Sequence, residues 1–167
     1  MTFDNIEDGA IVFIDANVFI YHFTGTSSEC TQLLAHCESG RLHGVTSALV
    51  LAEACHRLMT IEAVERKLVP AGNVVRKLTR RPDLIRQLST YETAIESIPA
   101  MGIEVSGLSW EIVMNGLRLQ RRYGLLTNDS LIVSAMLHSG IRLLATADRR
   151  LAAIDEIETV MPTISAD

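Results

Sequence analysis

Residues 11–21, IVFIDANVFIY, place a carboxylate and an amide, Asp15 and Asn17, inside one of the most apolar runs of the chain. The residues before Asp15 are β-branched or aromatic and read as a short strand buried on both faces, over 10–15. Those after it read as helix, over 17–24. The acid therefore falls at the carboxyl end of a buried strand. An ionised carboxylate there costs several kcal/mol or takes up a proton unless the fold supplies a cation or hydrogen-bond donors.

The same alternation runs through the chain. A helix is predicted over 27–38, with Ser27 or Ser28 as cap and Gly40 as stop, and RLHGVTS, 41–47, is a weaker strand whose final Ser caps a helix over 48–59. A mostly helical section, 61–98, is punctuated by Pro70, Gly72 and Pro82 and closed by Pro99. A strand near 103–105 and a helix over 109–122 follow. GLLTNDSLIVSAMLHSG is the clearest helical unit, with Thr127 or Asn128 near its N-cap and Gly140 as its stop. IRLLATAD then reads as a strand, RRLAAI as a short helix and IETVMPTI as the last strand. Strands separated by helices imply a parallel α/β sheet covered on both faces.

With 167 residues, 48% of them hydrophobic, the chain suits one domain spanning 1–167, and it shows no repeat or linker. No apolar run approaches the roughly 18 residues that span a bilayer, and the acidic start MTFDNIEDGA is unlike a secretory leader, so a cytoplasmic protein is expected. Cys30, Cys37 and Cys55 are odd in number and form no CxxC pair, which fits a reducing compartment; with His36 or His43 they lack zinc-ligand spacing.

Three further acids share the setting of Asp15. Glu53 lies in SALVLAEACHRL, where Leu49, Ala52 and His56 share its helical face; Asp129 opens the helix before the RLLAT strand, and Asp148 follows that strand. Glu62, Glu92 and Glu96 are instead assigned to polar faces. Taken singly, each of the four has an ordinary role: Asp15 and Asp148 as helix caps, Asp129 as a first-turn acid, Glu53 as a partner of Arg57 four residues on. Taken together they stand at the ligand-facing end of one α/β scaffold. Two unit charges about 4 Å apart repel by on the order of 4 kcal/mol at an effective dielectric near 20. No lysine or arginine shares their apolar runs, and an all-oxygen ligand set selects a hard cation, Mg²⁺ or Mn²⁺.

FIDANVFIY, SALVLAEACHRL, GLLTNDSLIVSAM and LLATADRRL, in this order and spacing, resemble the PIN-domain ribonucleases, especially the VapC-type toxins of toxin-antitoxin pairs. The resemblance runs over roughly 10–163. It implies a three-layer α/β/α fold around a parallel sheet of four to five strands, and an acidic quartet, Asp15, Glu53, Asp129 and Asp148, that holds one or two Mg²⁺ or Mn²⁺ ions. Asn17, Ser130 and Thr146 match positions that support the site by hydrogen bonding, Thr146 being equally explained by β-packing. The activity implied is hydrolysis of RNA phosphodiester bonds by metal-activated water, with Asp129 and Asp148 both open as proton acceptor. An antitoxin and a second copy of the chain are the partners that the resemblance implies. The long 61–98 section and the nine residues before the first strand depart from the shortest toxins.

Net charge is -5, yet residues 66–86 hold seven of the fifteen basic residues against one acid, Asp83. Within that strip Arg76, Lys77, Arg80 and Arg81 are candidate RNA-phosphate contacts; Arg118, Arg121, Arg122, Arg149 and Arg150 form a second set. TIEAVERKLV and LIRQLSTYETAIESI carry apolar residues at helical spacing, suited to a partner helix or to the core. Two other functions compete. A haloacid-dehalogenase-like phosphatase would need an Asp at position 17 and a lysine before its last acids, whereas Lys67 and Lys77 are the only lysines. A PIN-like module could also bind RNA or protein without cutting.

Overall fold

The strand before Asp15, β1 (Ile11–Ile14), is the middle strand of a five-stranded sheet, and its Val12, Phe13 and Ile14 have no exposed surface. The computed structural model describes residues 3–163. β2 (His43–Ser47) pairs with β1 on one side, Phe13 opposite Val45, and β4 (Leu143–Ala145) pairs on the other, Phe13 opposite Leu144. β3 (Ile103–Ser106) and β5 (Glu158–Val160) complete the order β3-β2-β1-β4-β5, with every pairing parallel. Helices flank the sheet, which is the expected α/β/α arrangement with five strands. Ile164, the end of IETVMPTI, lies outside the described residues.

Four helix starts are set by a short polar side chain. Asp15 caps α1 (Ala16–Phe23), Ser27 caps α2 (Ser28–Glu38), Ser47 caps α3 (Ala48–Glu65) and Ser109 caps α7 (Trp110–Tyr123), each accepting a backbone N–H of the first turn. α8 (Thr127–His138) is different. Its N-cap is Leu126 and neither Thr127 nor Asn128 caps it; instead the Ser130 hydroxyl donates to the Thr127 carbonyl at 2.8 Å. RRLAAI forms a 3-10 turn, Arg149–Ala153, capped by Asp148.

The helix predicted to end at 59 continues to Glu65, because Val50, Ala54, Leu58 and Glu62 form one buried stripe at i, i+4 spacing. That stripe overturns the assignment of Glu62 to a polar face. Glu62 is 5% exposed and accepts the backbone N–H groups of Ser89 (3.1 Å) and Tyr91 (3.0 Å) and the Arg66 guanidinium (3.0 Å). It thereby serves as the missing cap of α6 (Thr90–Ser97), whose own Ser89 makes no side-chain cap bond. Burial alone would push the Glu62 carboxyl up; the donors from Tyr91, Ser89 and Arg66 outweigh it and hold the group below its ordinary value.

α4 (Val74–Thr79) and α5 (Pro82–Ile85) pack with the end of α3 around a small second core of Ala63, Val69, Leu78, Leu84 and Leu88. The larger core lies on the sheet and takes in Phe13, Phe19, Leu33, Leu34 and Met136, each such burial contributing roughly 1.5–3 kcal/mol. Cys30 and Cys37 are buried free thiols on the α2 face that meets this core. Gly102 enters β3 at φ +72°, and a Cβ there would stand 2.8 Å from the Cys37 carbonyl oxygen, so only glycine fits. Among the described residues no helix is long and apolar enough to cross a membrane.

Candidate metal centre

The strand order reverses around β1 and β4, whose connections leave in opposite directions; in open α/β sheets this is where ligands bind, beyond the strands' carboxyl ends. Asp15 follows β1 and Thr146 follows β4, side by side. The Asp15 N–H extends the ladder by donating to the Ala145 carbonyl at 3.0 Å, and the Thr146 N–H donates to Val160 at 3.1 Å. The position of Asp15 is thus fixed by the sheet itself.

Asp15 is 6% exposed, and both its oxygens are held. Oδ1 accepts the Ala16 N–H at 2.7 Å; Oδ2 accepts the Thr146 hydroxyl at 2.7 Å and the Asn17 amide at 3.3 Å. Thr146, fully buried, also accepts the Asp148 N–H at 3.0 Å, so one hydroxyl connects the two acids. It is the best-connected supporting residue, beyond what β-packing alone would require. The Asn17 carbonyl oxygen in turn accepts Arg57 Nη1 at 2.8 Å. Arg57 therefore serves Asn17 and makes no ion pair with Glu53.

Charge couples Asp15 with Glu53, and Asp129 with both Asp148 and Asp15. Burial pushes the Asp15 carboxyl above its ordinary value, and the Glu53 charge adds to the rise, against the lowering effect of the Thr146, Ala16 and Asn17 donors. Burial also raises Asp129; Arg150 opposes the rise, while the Asp148 and Asp15 charges reinforce it. Asp148 goes the other way, held down chiefly by its bond to Arg150. Glu53 projects from α3 on a face whose Ala52 and His56 are exposed rather than from an apolar one; the buried stripe lies to its side.

A cation is present after all. The Arg150 fork grips both Asp148 oxygens, with Nη2 to Oδ2 at 2.5 Å and Nε to Oδ1 at 3.0 Å, and Nη2 reaches Asp129 Oδ2 at 3.5 Å. The backbone N–H of Arg150 also donates to Asp148 Oδ1 at 2.9 Å. In this arrangement no group of three or more His, Cys, Asp and Glu side chains among the described residues stands ready-made for a metal ion. The donor chemistry nonetheless fits a hard divalent cation. All four acids offer oxygen, Asp15 is coupled in charge to Glu53 and Asp129, and one guanidinium on Asp148 and Asp129 leaves the set net negative. The sequence points to Arg57 and Arg150 only weakly because the bonds of Arg57 to Asn17 and of Arg150 to Asp129 span 40 and 21 positions.

The candidate RNA strip lies past the far end of α3, where about 18 Å of helix separates Glu53 from Glu65. Arg76 and Arg80 are exposed there. Lys77 donates to the carbonyls of Pro70, Ala71 and Gly72 at 2.9, 3.3 and 2.7 Å, and Arg81 forks onto Asp83. In the second basic set, Arg122 pairs with Glu156 at 2.6 Å and stacks over Tyr123. The two candidate docking segments pack on each other as α3 and α6, leaving a groove edged by Phe23, Ile61, Tyr91 and Ala94.

The fold is that of an α/β protein with a parallel sheet whose switch point carries Asp15 and Thr146. The chain belongs to the PIN domain family, whose model matches residues 12–157. It is similar to ribonuclease VapC6 of Methanocaldococcus jannaschii, 24% identical over 153 residues that cover 89% of this chain and 95% of that one. Two solved structures share the fold. VapBC2 from Rickettsia felis, bound to a DNA fragment from its promoter, has a TM-score of 0.59 at 15% identity, covering 91% of this chain and 98% of that one. The sarcin-ricin loop cleaving toxin VapC20 from Mycobacterium tuberculosis has a TM-score of 0.59 at 14% identity, covering 88% and 97%.

Proposed function

We propose that this chain is an endoribonuclease that hydrolyses RNA phosphodiester bonds with Mg²⁺ or Mn²⁺, and that it is the toxin of a type II toxin-antitoxin pair. One observation carries the reading: a buried carboxylate, Asp15, is fixed at the switch point, feels the Glu53 charge, acts on Asp129 and is joined to Asp148 through the Thr146 hydroxyl. Asp15, Glu53, Asp129 and Asp148 would hold the ion. When bound, such an ion supplies an activated water and neutralises charge developing on the phosphate.

The protein's own groups set up that chemistry. Thr146 and Asn17 aim Asp15 Oδ2, and the Ala16 N–H fixes Oδ1, so the carboxylate needs no reorganisation. Of the two acids open as proton acceptor, Asp129 fits better: burial raises its proton affinity, whereas Arg150 lowers that of Asp148. Ser130 steadies the first turn that carries Asp129. Arg76 and Arg80 offer phosphate contacts, with Lys77 and Arg81 held in internal bonds. The whole chain is read as one PIN-like domain with the 61–98 section inside it.

The partners follow from surface and kinship. An antitoxin segment suits the groove edged by Phe23, Ile61, Tyr91 and Ala94, since solved neighbours include VapBC2 and a toxin-antitoxin complex from Klebsiella pneumoniae. A second copy suits the exposed Trp110 and Leu117 of α7. The phosphatase reading loses support: position 17 is Asn and Lys77 is tied to three carbonyls.

The test is incubation with structured and single-stranded RNA in Mg²⁺, Mn²⁺ or EDTA, beside Asp15→Asn. Cleavage that needs the ion and falls at least about a hundredfold in the variant supports the nuclease. Robust cleavage in EDTA overturns the metal; RNA binding without any cleavage leaves the non-cutting module.

A further inference from the structure

Arg150 poses a question that the acidic pocket alone does not answer. It belongs to the 3-10 turn that Asp148 caps, and its guanidinium takes up both Asp148 oxygens while touching Asp129. Those are two of the four acids offered to a cation. A carboxylate whose two oxygens lie in one arginine fork has that edge occupied, so an ion approaching the same edge must compete with the arginine for it. The Arg150 side chain is 65% exposed, against 19% for Asp129 and 21% for Asp148. The guanidinium therefore closes the pocket from the solvent side and has room to swing away.

We propose that Arg150 is an internal counter-ion that a divalent cation must displace, so that it sets the affinity of the pocket for the ion. The inference rests on the metal-dependent reading above. In the metal-free protein Arg150 offsets part of the repulsion between Asp129 and Asp148. On ion entry its bonds to Asp148 are exchanged for bonds to solvent, leaving a mobile cation at the mouth of the pocket, where a phosphate backbone would approach. The acids then face a +2 ion in place of the +1 guanidinium, which stays at the mouth in solvent. The weaker the arginine's hold, the tighter the ion binds.

The test is calorimetric titration of the full chain with MnCl₂ at low ionic strength, comparing wild type, Arg150→Gln, Asp15→Asn and Arg41→Gln. Arg41 pairs with Asp8 on the surface and controls for the change in net charge. Arg150→Gln is expected to bind Mn²⁺ about three- to tenfold more tightly, the range of an exposed but bidentate ion pair, with Arg41→Gln unchanged. Equal or weaker binding by Arg150→Gln, or an equal gain in Arg41→Gln, overturns the proposal. Asp15→Asn separates the two levels. If it loses Mn²⁺ binding while Arg150→Gln shows no gain, only the role of Arg150 falls. If it binds like wild type, or if neither wild type nor Arg150→Gln binds, the metal-centre reading falls as well.

Discussion

Thr146 Oγ1 donates to Asp15 Oδ2 at 2.7 Å across 131 positions of sequence, and the same oxygen accepts the Asp148 N–H at 3.0 Å. One buried hydroxyl thus sets the distance between two acids that belong to neighbouring strands. Thr146→Val keeps shape and removes both bonds. It is expected to cost about 1–3 kcal/mol of stability and about ten- to a hundredfold in metal affinity or activity. Thr146→Ser, which restores the hydroxyl, should recover most of the metal affinity; equal losses in Val and Ser would show that packing rather than the bond is at work.

Asp15 makes the metal-free protein sensitive to pH. A carboxyl whose folded-state pKa is raised holds its proton longer in the folded chain, so its stabilising contribution is present below the unfolded value, 3.8, and is lost as pH rises through the folded value. In EDTA the wild type should therefore lose stability as pH rises through that folded value, and Asp15→Asn, which has no carboxyl to ionise, should lack this part of the pH dependence, read as Tm against pH. Added Mn²⁺ at about 100 times its Kd should stabilise wild type by about 2.7 kcal/mol and the variant by far less. Parallel pH profiles for wild type and variant in EDTA would refute the burial penalty.

Glu62 behaves in the opposite sense. Its folded-state pKa is depressed, so the stability it contributes is present above the unfolded value, 4.5, and disappears as pH falls through the folded one. Glu62→Gln should shift the acid-unfolding midpoint and leave RNA cleavage at neutral pH close to wild type. Glu62→Ala, which abandons the Ser89 and Tyr91 N–H groups, should cost about 2–4 kcal/mol, read by urea denaturation.

The basic strip divides by partner. Exposed Arg76 and Arg80 should act on RNA, so that the double Ala variant flattens the slope of log affinity against log salt by about 1.4, two phosphate contacts on a single strand. Lys77→Ala should leave that slope nearly unchanged and cost about 1 kcal/mol of stability, because its ammonium closes the Pro70–Gly72 loop. An unchanged slope in the double variant would move RNA to another surface.

The sheet, most junctions and the four acids are legible in the sequence because each rests on a local signal: an apolar run, a Ser or Asp cap, a Gly at the helix end. What escapes is made between segments. Glu62 reads as polar surface until the stripe from Val50 through Ala54 and Leu58 is followed one turn further. Arg150 reads as a flanking charge, and its bond to Asp129 spans 21 residues. The start of α8 is misplaced because Leu126, without a capping side chain, takes the position that Thr127 or Asn128 would ordinarily fill.

The helices between β2 and β3 carry a nucleus of their own, Ala63, Val69, Leu78, Leu84 and Leu88, fastened to α3 by the Glu62 clasp. Evolution can therefore lengthen, recharge or exchange this appendage while the catalytic end of the sheet stays as it is.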